Sequence, residues 1–114
     1  MIKILHNNSC SKSRAALEYL DENGIQFEII DIIKNPLSEL EIRTLLRKLN
    51  LEVTEIIRKN DPLYPQYSRE AKTEEDWVKI LSKNPELLQR PILIKGPVAM
   101  IGRPLENIRF FIEG

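Results

Sequence analysis

Residues 25–33 read Ile-Gln-Phe-Glu-Ile-Ile-Asp-Ile-Ile, and no other stretch constrains this chain so tightly. The run is dense in β-branched and aromatic side chains and is bounded by Gly24 and Pro36, which favours a strand over a helix. Its apolar density predicts a strand buried on both faces. An earlier apolar run, residues 1–5, predicts a first strand ending near His6. Between the two, a helix is predicted from about Ser11, with Ala16, Leu17 and Leu20 on one face and Asn23-Gly24 as its stop. A strand, a helix and a second strand at this spacing pair in parallel, which places the chain among α/β folds.

The remainder follows from periodicity. Residues 36–49 carry Leu37, Leu40, Ile42, Leu45, Leu46 and Leu49 at helical spacing, predicting one inward stripe, and Ser38 with Glu41 forms a capping-box pattern. A short helix is predicted over 54–59. Residues 61–67 (Asp-Pro-Leu-Tyr-Pro-Gln-Tyr) hold two prolines and read as a surface loop whose tyrosines pack on the helical block. Thr73 with Asp76 opens another helix through Trp77, Ile80 and Leu81, and Asn84-Pro85 restarts a turn carrying Leu87 and Leu88. Residues 91–95 and 98–101, joined by Gly96-Pro97, predict a hairpin. Pro104 starts a closing helix with Leu105, Ile108, Phe111 and Ile112 inward. The order is β-α-β, a helical block, then β-β-α.

Composition narrows the function. The chain has 114 residues, the length of one ordinary domain, with 17 basic and 17 acidic side chains. Zero net charge lends no support to nucleic-acid or membrane-surface binding. No segment approaches the ~20 apolar residues of a membrane span, and the N-terminal apolar run is too short for a signal peptide. One histidine and one cysteine are too few for an ordinary zinc site. An unpaired cysteine with no export signal points to the reducing cytoplasm.

That single cysteine, Cys10, falls where the first strand hands over to the first helix, in His6-Asn7-Asn8-Ser9-Cys10-Ser11-Lys12-Ser13-Arg14. A thiol there faces the unpaired N–H groups and positive dipole end of the helix, which favour the thiolate. Arg14 adds charge one turn further in. The Ser13 hydroxyl can turn toward the sulfur, and His6 can stabilise the thiolate or shape the loop. A free thiol of pKa ~8.5 is only ~3% ionised at pH 7, whereas a pKa of ~6.5 gives about 75%. The plainer alternatives are a small buried hydrophobe for Cys10, a helix cap for Ser13 and a satisfied strand-end side chain for His6. A lone cysteine makes no internal disulfide, so any redox cycle draws on an external thiol.

The loop resembles the active-site loop of the glutaredoxin-dependent, ArsC-type arsenate reductases, which read His-Asn-Pro-x-Cys-Gly-Thr-Ser-Arg. Arg58, Arg90 and Arg103 fall where that family places three oxyanion-binding arginines, and Arg90-Pro91-Ile92 matches its Arg-Pro-Ile signature. The likeness spans essentially the whole chain. It implies a single domain, residues 1–114, with a thioredoxin-like β-α-β…β-β-α mixed four-stranded sheet and a helical insertion over about 36–89. It further implies Cys10, Ser13 and Arg14 as catalytic, Arg58, Arg90 and Arg103 as arsenate-binding, and His6 and a cis Pro91 in support. No bound cofactor and no metal are implied. Glutathione as co-substrate, glutaredoxin as partner and a cytoplasmic monomer are the corresponding expectations. The departures are Asn8 for proline, Ser11 for glycine and Lys12 for threonine, which bear on where the loop amides point.

Arginine suits this task. At ~4 Å in an effective dielectric of ~20, one opposite charge offsets about 4 kcal/mol of repulsion between an oxyanion and a thiolate, before desolvation. The planar guanidinium fork also matches oxyanion geometry better than lysine does. Arg43, Arg47, Arg69 and Arg109 lack such context and read as surface charges. Two other readings keep the fold. A glutathione-linked thiol oxidoreductase has no use for three arginines, and an Spx-like protein-binding module would here lack a Cys-x-x-Cys switch because Ser13 takes the second position.

Overall fold

The computed structural model describes residues 1–7 and 9–113. The chain divides into two compact units, one of Met1–Ile32 with Arg90–Gly114 and one of Ile33–Gln89.

The first unit is built on a sheet. Its strands are β1 (Ile2–His6), β2 (Phe27–Asp31), β3 (Ile92–Lys95) and β4 (Val98–Ile101), in the order β2-β1-β3-β4. The β1–β2 pair is parallel, with Ile2 opposite Phe27 and His6 opposite Asp31, as a βαβ crossover requires. The β1–β3 and β3–β4 pairs are antiparallel, so the sheet is mixed. Helix α1 (Ser11–Glu22) and helix α5 (Glu106–Glu113) supply Ala16, Leu20 and Ile108 to a core shared with Ile2, Ile4 and Leu93. Ile2 and Ile4 alternate along β1, which puts both on the covered face.

Two predicted features of this unit are corrected. Strand β2 is shorter than residues 25–33 and is not buried on both faces: Glu28 is exposed, and Ile29 is 49% exposed. It is an edge strand with one neighbour, and its apolar run is used by Ile25 and Phe27, which pack on the core, and by the buried Ile32 just beyond it, whose N–H donates to the His6 carbonyl at 3.1 Å. The closing helix starts at Glu106 rather than Pro104. A tight turn precedes it, with Asn107 N–H donating to Pro104 O and Ile108 N–H to Leu105 O, both at 3.0 Å.

The second unit is helical. Helix α2 (Glu39–Leu49) opens on the predicted capping box: Ser38 Oγ accepts from Glu41 N–H at 3.1 Å, and Glu41 Oε1 accepts from Ser38 N–H at 3.0 Å. Thr73 and Asp76 open α4 (Glu74–Lys83) the same way. The two helices pack together through Ile42, Leu45, Leu46, Trp77, Val78 and Leu81, all buried. Leu40 was expected on this stripe but is 70% exposed, because it lies in the first turn off the buried i, i+3, i+4 row.

The helix predicted over 54–59 is a 3-10 turn, Val53–Ile56, after which Ile57 pairs with Leu88 as an isolated bridge beside the turn Pro85–Leu87. Residues 61–67 are not all loop. A short α3 (Tyr64–Glu70) begins within them, with Pro65 in its first turn, where a missing N–H costs nothing. The Tyr64 ring stacks on Trp77 with centroids 5.9 Å apart, in keeping with the expected packing of the tyrosines. Among the described residues no helix is long and apolar enough to cross a membrane.

Candidate active site around Cys10

The loop that presents Cys10 is tied by its own backbone. Asn7 N–H donates to Ser13 Oγ at 3.4 Å, and Asn7 Oδ1 accepts from Ser9 N–H at 3.0 Å and from the Ser9 hydroxyl at 2.8 Å. Cys10 N–H donates to Asn7 O at 2.9 Å, and Arg14 N–H to Cys10 O at 3.1 Å, the first bond of α1. Cys10 is thus the N-cap of α1, in extended conformation, and its half-buried sulfur faces the helix's free amides.

Competing influences set the thiol's acidity. Partial burial pushes its pKa up. The amides of Ser13 and Lys12, then the hydrogen bond and charge of Arg90, outweigh that and bring it from an ordinary 9.0 to about 7. The sulfur closes no full capping hydrogen bond with the helix, so the amides act as aligned dipoles on the anion. At neutral pH about half of the Cys10 population is thiolate.

The two arginines reach the sulfur through the hairpin. Its register sets Ile92 opposite Ile101, so the chain entering β3 and the chain leaving β4 lie side by side. Gly102 N–H donates to Pro91 O at 2.8 Å. A Cβ on Gly102 would lie 3.1 Å from Leu93 Cδ1 and from Pro91 Cγ, and 3.2 Å from Ile108 Cδ1, so any side chain here would crowd all three. Arg90 precedes the cis Pro91 and is buried. Arg103 donates from Nε to Arg90 O at 2.7 Å and reaches Cys10 Sγ with Nη2 at 3.7 Å. Asn107 Nδ2 donates to Arg103 O at 2.8 Å.

Most of the sequence-predicted residues of the first unit gather here, though some act differently from expectation. Ser13 is fully buried, and its hydroxyl accepts from Asn7; its amide, rather than its hydroxyl, acts on the sulfur. Arg14 is exposed, and the groups acting most strongly on the thiol are those of Ser13, Lys12 and Arg90. His6 is 4% exposed with its Nδ1 unpartnered, so it is not a fully satisfied strand-end side chain. Ser11 and Lys12 form the first turn of α1, whereas Asn8 lies outside the described residues. Sequence reasoning missed Asn7, whose place before Ser9 is a recognisable Asx-turn signal. It also missed Asn107, whose role no local pattern marks.

Arg58 belongs to the second unit. Its N–H donates to Leu87 O at 2.7 Å, and its Nη1 donates to Glu86 O and to Asp61 Oδ2, each at 3.3 Å. Its Nε is buried without an acceptor. Sequence reasoning also missed Asp61, although Asp-Pro at 61–62 is a turn-forming pair.

Comparison with known proteins places this geometry among relatives. The ArsC family matches residues 5–111. An arsenate reductase of Neisseria meningitidis is 37% identical over 110 residues, covering 94% of each chain. One of Haemophilus influenzae is 34% identical over 108 residues, covering 92% of this chain and 93% of the relative. The solved structure of an arsenate reductase from Vibrio cholerae superposes with a TM-score of 0.90 at 29% identity, covering 96% of this chain and 95% of the other.

Proposed function

The chain belongs to the ArsC family, and on that premise we propose that it reduces arsenate to arsenite through the Cys10 thiolate. The observation that carries the proposal is a thiol of pKa about 7 that Arg90 hydrogen-bonds and Arg103 approaches to 3.7 Å. A thiolate supplies the electron pair, and the guanidinium groups offset its repulsion from the oxyanion.

In the first step Cys10 Sγ attacks arsenic. The S–As bond forms, and one arsenate hydroxyl, once protonated, leaves as water. Arg90 and Arg103 carry the charge of the remaining oxygens, and family resemblance assigns Arg58 the same task. A glutathione thiol then adds to arsenic with loss of a second water. A glutaredoxin thiolate attacks the glutathione sulfur, so that a glutaredoxin–glutathione disulfide forms. The electron pair of the broken S–As bond stays on arsenic, which falls from As(V) to As(III). Water hydrolyses the remaining Cys10–arsenic bond, and arsenite leaves as the thiol is restored. The single cysteine agrees with this scheme, because both other sulfurs come from outside.

Purified protein incubated with arsenate, glutathione and glutaredoxin is expected to form arsenite, and Cys10→Ser to lower the rate at least a thousandfold. No arsenite from the wild type, or an undiminished rate in the variant, overturns the proposal. Omitting glutaredoxin alone separates the thiol donors from the chemistry at arsenic. Turnover that persists without it would refute the assigned donor and leave the Cys10 step standing.

A further inference from the structure

The first turns of α2, α4 and α5 carry acids, among them Glu39, Glu74 and Glu106, the sign that a helix N-terminus favours. Helix α1 breaks this rule. Its first turn, Ser11-Lys12-Ser13, has no acid and one cation, and its N-cap Cys10 closes no side-chain capping bond. A cation at that end opposes the helix dipole and costs stability, so helix formation does not account for Lys12.

Nor is the charge neutralised along the helix. The residues three and four positions on from Lys12 are Ala15 and Ala16, whereas Arg14 has Glu18 at i+4. Lys12 is exposed, and among the described residues no hydrogen bond or ion pair holds its ammonium. Its amide is one of those acting on Cys10 Sγ, so its side chain springs from the rim of the thiol. The charge acting on the sulfur itself comes from the buried Arg90, and Arg103 approaches the sulfur to 3.7 Å. An exposed ammonium at the rim acts instead on what arrives from water.

We infer that Lys12 is a specificity-determining residue at Cys10, favouring sulfur compounds that carry carboxylates over neutral or cationic ones. The inference rests on the proposed function for its setting, in which a second thiol adds beside Cys10, and it names the charge class of that thiol. Glutathione, with two carboxylates and one ammonium, is of this class. The ArsC loop pattern has threonine at this position, so the charge is a departure from it. Attraction of this kind acts on the rate of encounter and fades with salt.

The test follows Cys10 in the whole protein, without arsenate. Oxidised glutathione, net negative, and cystamine, net positive, are offered separately. In each case the thiolate attacks one sulfur of the disulfide, the S–S bond breaks and the other half leaves as a thiolate. The mixed disulfide is read by mass spectrometry. Iodoacetate and iodoacetamide, near equal in size, form a second pair that differs in charge. Rates are compared as the ratio of the anionic reagent to its counterpart, so a change in the thiol itself cancels. At low salt the iodoacetate-to-iodoacetamide ratio is expected to fall about threefold in Lys12→Met and about tenfold in Lys12→Glu, as one and two units of charge acting through water imply. The glutathione-to-cystamine ratio is expected to fall at least as far. At 1 M salt, where the Debye length is about 3 Å, these differences are expected to vanish. Lys95→Met removes the same charge from the far end of β3 and is expected to change either ratio less than twofold. Unchanged ratios in both Lys12 variants, a fall that persists at 1 M salt, or an equal fall in Lys95→Met overturns the inference. A wild type that makes no arsenite but shows the Lys12-dependent ratios overturns the turnover scheme and leaves the charge selection standing.

Discussion

In the helical unit, α2 and α4 each begin with a contact between residues three apart, Ser38 with Glu41 and Thr73 with Asp76. In the sheet unit, the groups around the Cys10 sulfur come from positions 12, 13, 90 and 103. Local contacts satisfy helix ends and contribute stability wherever they occur, but they put no cation beside a thiol. The distant ones do, because β1, β3 and β4 lie side by side and carry α1, Arg90 and Arg103 to one end of the sheet. The lesson is a division of labour. Substitutions in the helical unit should move stability with little effect on thiol chemistry, whereas substitutions along the hairpin should move both.

That division can be broken, and the largest effect is expected in the helical core. Ile42 is 1% exposed, so Ile42→Ala should cost about 2–5 kcal/mol in chemical denaturation. Cys10 should still titrate near 7, as read from the pH dependence of its alkylation, and a clear shift would end the comparison as drawn. Gly102→Ala comes next. Its methyl group meets Leu93, Pro91 and Ile108 at 3.1–3.2 Å, and overpacking of this kind costs about 1–3 kcal/mol. Because Arg103 follows directly, the thiol pKa should rise in the same variant.

Arg90→Met sharpens the electrostatic half of the comparison. Arg90 favours the thiolate, so its loss favours the protonated form and moves the midpoint of alkylation above 7. A rise of one unit leaves about tenfold less thiolate at pH 6. The sign also holds for stability. The pKa in the fold lies below the ordinary value, so the thiolate stabilises the fold at high pH, and this contribution is lost as pH falls through about 7. In Arg90→Met that dependence should flatten. Ser38→Ala should show the smallest effect, about 1 kcal/mol of stability from the lost cap, with the alkylation profile unchanged.

Much of this architecture is legible in particular residues. The capping boxes, the Gly96 turn and the Gly24 stop were readable because each is a short-range arrangement with one good backbone solution. The edge position of β2 was not, since an apolar run does not say how many neighbours a strand has. Nor was α3, where prolines that exclude a helix interior are tolerated in a first turn. At the site, Cys10 and the arginine series stood out in the sequence, but the roles of Ser13, Asn7, Asn107 and Asp61 did not.

By itself, the sequence determined the β-α-β, helical block, β-β-α order, the starts of α1, α2 and α4 and the position of one thiol at a helix N-terminus, because backbone preference and hydrophobic period act over a few residues. Only the tertiary structure decided that Ser13 serves the sulfur through its amide, that Arg103 holds the Arg90 carbonyl while reaching Cys10, and that Asp61 holds one end of the Arg58 fork. Those outcomes depend on distances of a few ångströms between groups that sheet order or a closed turn brings together, and such distances come into being only when the backbone between them has closed.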